Sequence, residues 1–167
     1  MNKLLSISLL AAAVAVTGCS KKEEAAKTEA TTANTGTGGL VVKIGHASPL
    51  TGPQAHLGKD NENGVRMAIE ELNAKGVSIA GQKVQFELLS EDDQADPRIA
   101  TTVAQKFVDD KVSGIIGHLN SGTTIPTSRI YNDAGLVQIS PSATNPKYTQ
   151  QGYKGAFRVM ANDVQQG

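Results

Sequence analysis

Val112-Ser113-Gly114-Ile115-Ile116-Gly117-His118-Leu119-Asn120-Ser121-Gly122-Thr123-Thr124 runs from a short apolar segment straight into a loop of hydroxyl and amide side chains. The apolar part reads as a buried strand, and the Asn-Ser-Thr cluster stands where a helix would begin. The pattern returns shortly afterwards, where Leu136-Val137-Gln138-Ile139 leads into Ser140-Pro141-Ser142-Ala143-Thr144-Asn145-Pro146. Two strand ends therefore carry neutral hydroxyls beside free backbone groups. Such groups can hold a small zwitterion. They are poorly suited to bond-breaking, which usually needs a tuned base or a metal.

The alternation extends in both directions. Leu40 to Ala47 reads as a first strand, and Ser48-Pro49-Leu50-Thr51-Gly52-Pro53 as a turn. A helix from about His56 to Ala74 follows, with Val65, Ala68, Ile69 and Leu72 on one face and Gly76 as its stop. Lys83 to Leu89 alternates as a second strand. Asp96-Pro97 opens a second helix with an acidic cap and Pro in the first turn, and Ala100, Val103, Ala104 and Phe107 form its apolar face. The spacing predicts a third strand at Val112–Ile116, a helix from Thr123 to Ala134 with Pro126 in its first turn, and strands at Leu136–Ser140 and Ala156–Met160. Alternating strands and helices make an α/β chain: three layers, αβα, around a parallel Rossmann-like sheet. Ligands of such sheets sit beyond the carboxyl ends of the strands, where both hydroxyl loops fall.

The amino terminus reads as an export signal over residues 1–18. Lys3 gives a positive start, and Leu4 to Val16 is an apolar run too short to span a bilayer. It ends in Val16-Thr17-Gly18-Cys19, which resembles the lipobox of bacterial lipoproteins and implies cleavage before Cys19 and acylation of its sulfur. Residues 20–39 mix charges of both signs with Ala, Thr and Gly, and read as a disordered tether behind the lipidated Cys19. What remains is long enough for one domain with a real core. Cys19 is the sole cysteine, so the folded part has no thiol for a disulfide or a metal. With 16 basic and 16 acidic residues interspersed, no basic stripe points to nucleic acid.

Each polar cluster has two readings. Ser121 either caps the third helix or offers its hydroxyl and the neighbouring N–H groups to a carboxylate. Ser142 and Thr144 belong either to a surface turn or to a stiffened loop that meets a ligand. Glu91-Asp92-Asp93 reads as a solvated strand end, since no further ligand stands at a metal-binding spacing. His46, His56 and His118 are scattered and suggest neither metal nor catalysis. No P-loop and no Gly-x-Ser-x-Gly elbow is present, and no nucleophile stands with a base.

Taken together, the chain resembles the N-terminal part of branched-chain amino-acid-type ABC transporter substrate-binding proteins. The resemblance rests on Ile44-Gly45 through Leu50-Thr51-Gly52-Pro53, Gly64 with Glu71-Leu72-Asn73-Ala74-Lys75-Gly76, Asp92-Asp93 with Asp96-Pro97, Ile116-Gly117-His118-Leu119 with Ser121, Ala134-Gly135, and Ile139 to Thr144. It implies a leucine-binding-like, type I periplasmic-binding fold of two lobes closing like a hinge. Residues 40–160 would be part of the first lobe, and 161–167 the start of a crossover into a second. Family members run to about twice this length, as two packed domains require, so the chain is expected to be a fragment. The resemblance implies that Ser121 binds the α-carboxylate of an amino acid, that Thr144 binds carboxylate and ammonium, and that the Ser142 carbonyl takes the ammonium, with Ala143 in the same loop. Leu57 stands where some relatives place an aromatic residue against the ligand side chain. Ala95 and Asn120 stand where some have a disulfide pair.

The implied function is a solute-binding lipoprotein on the periplasmic side of the cell envelope. It would capture a small amino acid and deliver it to a membrane-embedded ABC permease, with no cofactor, metal or catalytic residue. The alternatives are a receptor for amides, urea or short carboxylates, a degenerate lobe that binds nothing, and a flavodoxin-like enzyme, for which no catalytic set is evident.

Overall fold

The computed structural model describes residues 39–167. The signal, Cys19 and all of the tether except Gly39 lie outside the described residues. In chain order the elements are β1 (Leu40–Ser48), α1 (Ala55–Lys75), β2 (Ser78–Ile79), β3 (Gln82–Asp92), α2 (Pro97–Asp109), β4 (Gly114–Gly117), α3 (Ser121–Asp133), β5 (Gln138–Ser140), α4 (Lys147–Gln150), β6 (Ala156–Arg158) and α5 (Asp163–Gln166). They form a six-stranded sheet in the order β2-β3-β1-β4-β5-β6. Every pairing is parallel except the short β2–β3 ladder. The three-layer α/β architecture expected from the sequence is the one observed.

Residue alternation explains the layers. On one face Ala47 and Ile115 pack with Val103, Ala104 and Phe107 of α2 and Tyr131 of α3, all fully buried or nearly so. The Phe107 ring fills the space a side chain at Gly45 would need. The opposite face presents Ile44, Phe86, Ile116 and Ile139, and Val65, Ala68, Ile69 and Leu72 of α1 line an apolar cleft of about 210 Å³ with them. Phe157 pairs in register with Ile139 and is 50 % exposed. Among the described residues, the α1 face is thus left open toward β6.

Four features differ from the expected elements. Ser78–Ile79 and β3 form a hairpin through Ala80 (φ 50) and Gly81 (φ 79), the positive angles that a two-residue turn requires. Its Ala-Gly pair lacks the usual Asn-Gly signal. Strand β3 continues to Asp92 because it pairs with β1 as far as Ser48. Helix α3 begins at Ser121, so Pro126 falls inside the helix rather than in its first turn. Helices α4 and α5 are single short turns that carry no apolar periodicity to read.

Two contacts fix α1 against the sheet. Asn73 donates to the Phe86 carbonyl at 2.9 Å and accepts from the Phe86 N–H at 2.8 Å. It thereby occupies the β3 edge that the short β2 leaves unpaired. At the other end, Gly58 packs directly on the Pro49 carbonyl, where a Cβ would overlap backbone. Gly64, in the same helix, faces open space. We predict opposite effects of the same substitution: Gly58→Ala should destabilise by about 1–3 kcal/mol through overpacking, while Gly64→Ala should stabilise by about 1 kcal/mol through helix propensity. Urea unfolding of the two variants checks the pair.

Candidate functional site: the crevice between the first and fourth strands

The parallel strands run in the order β3-β1-β4-β5-β6. Helix α1 leaves β1 on one face and α3 leaves β4 on the other, so a crevice opens beyond their carboxyl ends. Helix α3 starts there. Its Thr123 and Thr124 N–H groups both bond to the Asn120 carbonyl, at 3.1 and 2.9 Å. Among the described residues, the N–H groups of Ser121 and Gly122 meet no acceptor. Two unpartnered donors at the positive end of a helix dipole form a ready anion site.

The loop after β5 lies against this helix start. Ser121 Oγ accepts from the Asn145 N–H at 3.1 Å, which sets Ser121 beside the Thr144–Asn145 peptide. The Ser121 hydroxyl proton and the Thr144 hydroxyl have no partner among the described residues. The loop itself is held from both sides. Ser140 Oγ donates to the His118 carbonyl at 2.8 Å and accepts from the Ala143 N–H at 3.0 Å. Ser142 Oγ donates to the Leu119 carbonyl at 2.8 Å. Arg158 donates to the carbonyls of Ala143 and Asn145, and the Asp163 N–H takes that of Thr144. Among the described residues, the Ser142 carbonyl meets no donor.

The structure therefore brings Ser121, Ser142 and Thr144 to one end of the sheet, with unspent polar groups at each. Ala143 is fully buried, its N–H held by Ser140 and its carbonyl by Arg158. Leu57 stands in the first turn of α1, 46 % exposed. The starts of α1 and α3 are tied by Asn120 Nδ2 donating to Gln54 Oε1 at 2.8 Å.

The acidic strand end corrects the sequence reading. Asp93 is completely buried rather than solvated. His118 donates from Nδ1 to Asp93 Oδ2 at 2.7 Å, and His118 Nε2 lies 3.0 Å from the Tyr131 hydroxyl. A neutral imidazole satisfies both contacts, with Tyr131 donating. Burial pushes the Tyr131 phenol well above its ordinary range and keeps that proton on it. All three side chains have no exposure, so this Asp-His-hydroxyl row is sealed from any substrate. Asp92 accepts from the Leu50 N–H, the Thr51 hydroxyl and the Gln94 N–H, and so pins the β1–α1 loop. Burial alone would raise its carboxyl, but these hydrogen bonds outweigh it and hold the group below the usual range. No local spacing signals the Asp93–His118 pair, because its members come from different strands.

His46 is also fully buried, with Nδ1 2.9 Å from the Ile116 carbonyl and Nε2 2.9 Å from Ser48 Oγ. Burial lowers its proton affinity below the ordinary 6.5, against the opposing pull of the Ile116 carbonyl and Glu62. Among the described residues, no three His, Cys, Asp or Glu side chains are grouped to hold a metal ion.

Comparison with known proteins agrees with this geometry. The sequence profile of the family described as periplasmic binding protein matches residues 41–167. A Leu/Ile/Val-binding protein homolog of Brucella abortus is 44% identical over 126 residues, covering 75% of this chain and 33% of that protein. Among solved structures, the branched-chain amino acid transporter substrate binding protein LivJ of Streptococcus pneumoniae, in complex with isoleucine, superposes with a TM-score of 0.68 at 31% identity. That match covers 74% of this chain and 34% of the other. An ABC transporter substrate-binding protein of Desulfitobacterium hafniense, in complex with Leu, gives 0.66 at 34% identity, covering 75% and 36%. The chain belongs to the periplasmic binding protein family. It spans about a third of the length of the curated relatives it matches.

Tyr131→Phe keeps the ring but leaves His118 Nε2 without its donor, which should cost about 1–3 kcal/mol in chemical denaturation. His46 binds its proton more readily unfolded than folded, so its contribution is present above about pH 6.5 and declines as the pH drops below that value. Urea midpoints taken from pH 7 to pH 5 should fall, and His46→Gln should flatten the decline.

Proposed function

We propose that this chain is the N-terminal part of the first lobe of an ABC importer's solute-binding lipoprotein, and that its crevice holds the backbone of a small amino acid of branched-chain type. The observation that carries the reading is the cluster of unspent groups at the β1/β4 crevice: the Ser121 and Gly122 N–H groups, the Ser121 and Thr144 hydroxyls and the Ser142 carbonyl. The α3 start and the Ser121 hydroxyl would receive the α-carboxylate. Thr144 would bridge carboxylate and ammonium, and the Ser142 carbonyl would accept from the ammonium. Ala143 would serve by holding the loop, and Leu57 would face the ligand side chain.

Solved relatives in complex with isoleucine and with Leu support the ligand class. That the relatives are solute-binding proteins supports a role without catalysis, as does the sealing of the Asp93–His118–Tyr131 row. In this reading residues 1–18 are removed and Cys19 is acylated. Residues 20–39 tether the domain to a membrane on the periplasmic side, where it delivers its ligand to a permease. Residues 40–160 belong to the first lobe and 161–167 lead toward a second, which would supply the remaining ligand contacts. The open apolar face beside Phe157 is one that further chain would cover.

The test is thermal unfolding of the full-length, non-acylated protein against a panel of amino acids, amides and short carboxylates. L-leucine, L-isoleucine or L-valine at 100 times its dissociation constant should stabilise by about 2.7 kcal/mol. A flat response across the whole panel would defeat the transport reading. Thr144→Val should abolish the shift and leave the unliganded protein unchanged, because the hydroxyl has no internal partner. Ser121→Ala should lower both, since it also strips the Asn145 N–H of its acceptor.

A further inference from the structure

We propose that Gln54 keeps the start of α3 open to ligand by holding the Asn120 amide away from it. The inference rests on the reading that the Ser121 and Gly122 N–H groups receive a carboxylate. Asn120 occupies the N-cap position of α3 with extended backbone (φ −85, ψ 142), the conformation from which Asn ordinarily accepts from the second or third N–H of the helix. It makes no such bond. Two other helices of the chain are capped in that way: Asp96 accepts from Arg98 and Ile99, and Asn162 accepts from Gln165.

The Asn120 amide is engaged elsewhere. Its Nδ2 donates to Gln54 Oε1 at 2.8 Å, while its Oδ1 is buried with no hydrogen-bond partner. A buried amide oxygen without a donor is unfavourable, and the Gly122 N–H close by has no acceptor. Joining the two would satisfy both, and would also occupy a donor that the ligand needs. Gln54 prevents this. Its own backbone is fixed as the N-cap of α1, where its carbonyl accepts from Leu57 and Gly58. Gly58 in turn packs on the Pro49 carbonyl. Gln54 is thus a positioning residue: it acts on the ligand site through Asn120.

The prediction has a sign that a merely structural role lacks. In the full-length protein, Gln54→Leu releases Asn120 to cap α3. Affinity for L-leucine, measured by titration calorimetry, should fall roughly fivefold, the worth of a typical N-cap. The unliganded melting temperature should not fall, and amide exchange at Gly122 should slow. Adding Asn120→Ala to Gln54→Leu removes the competing cap and should restore both the affinity and the exchange rate.

Unchanged affinity and exchange in Gln54→Leu would overturn the proposal, as would a double variant that stays weak, which would make Gln54 a direct ligand contact. If the unsubstituted protein binds no member of the panel, the transport reading fails. Gly122 exchange in the unliganded variants still decides whether Gln54 restrains the cap.

Discussion

The carbonyl oxygen of His118 accepts two hydroxyl protons, from Thr124 at 3.0 Å and from Ser140 at 2.8 Å. On the other side of the same residue, the imidazole is fastened to Asp93 at the end of β3 and to Tyr131 in α3. One residue at the end of β4 therefore joins the end of β3, two strands away across β1, to the α3 helix and the loop after β5. Through Ser140 the connection reaches the Ala143 N–H, and so the backbone that carries Thr144. The crevice is shaped from its buried side. A loop tethered only by solvent-exposed bonds would sample many conformations and lose entropy on meeting a ligand.

The fold was legible because its information is local. The faces of α1 and α2, the Asp96-Pro97 start and the Gly76 stop are patterns within one or two helical turns, and each matches the observed element. The β2 hairpin was not legible, because Ala80 takes a positive φ without the residue type that advertises it. The end of β3 was misread for a different reason. Three acidic residues in a row look like a solvated strand end, yet Asp93 meets a histidine 25 positions away. Only the parallel β1–β3 and β1–β4 registers bring these strand ends together.

The placement of charge in this crevice suits reversible capture. Asp93 and His118, just past the ends of β3 and β4, turn into the fold toward Tyr131 of α3, and Asp92 is spent on the β1–α1 loop. The groups left unpaired there, among the described residues, are neutral: N–H dipoles, hydroxyls and a carbonyl. A zwitterion carries no net charge, so dipoles suffice at both of its ends. A fixed countercharge would have to be desolvated, and its attraction often fails to repay that cost. It would also bind one end at the expense of the other. Under the proposed function, neutral partners would balance the two ends and allow the ligand to leave, as delivery would require.

Hydroxyls that look alike in the sequence divide into two kinds once their protons are followed. Thr124, Thr127, Ser128, Ser140 and Ser142 all donate to backbone carbonyls within the fold. Their work is structural, since each ties its element to backbone of the fold. Among the described residues, the Ser121 hydroxyl accepts without donating, and that of Thr144 does neither. Both kinds stand in the same two stretches, α3 and the end of β5 with its following loop, so composition could locate the stretches but not separate the roles. The distinction follows from satisfaction: a buried polar group is almost always paired, and under the proposed function the half-buried hydroxyls left unpaired at the mouth of the crevice are the ones a ligand would pair.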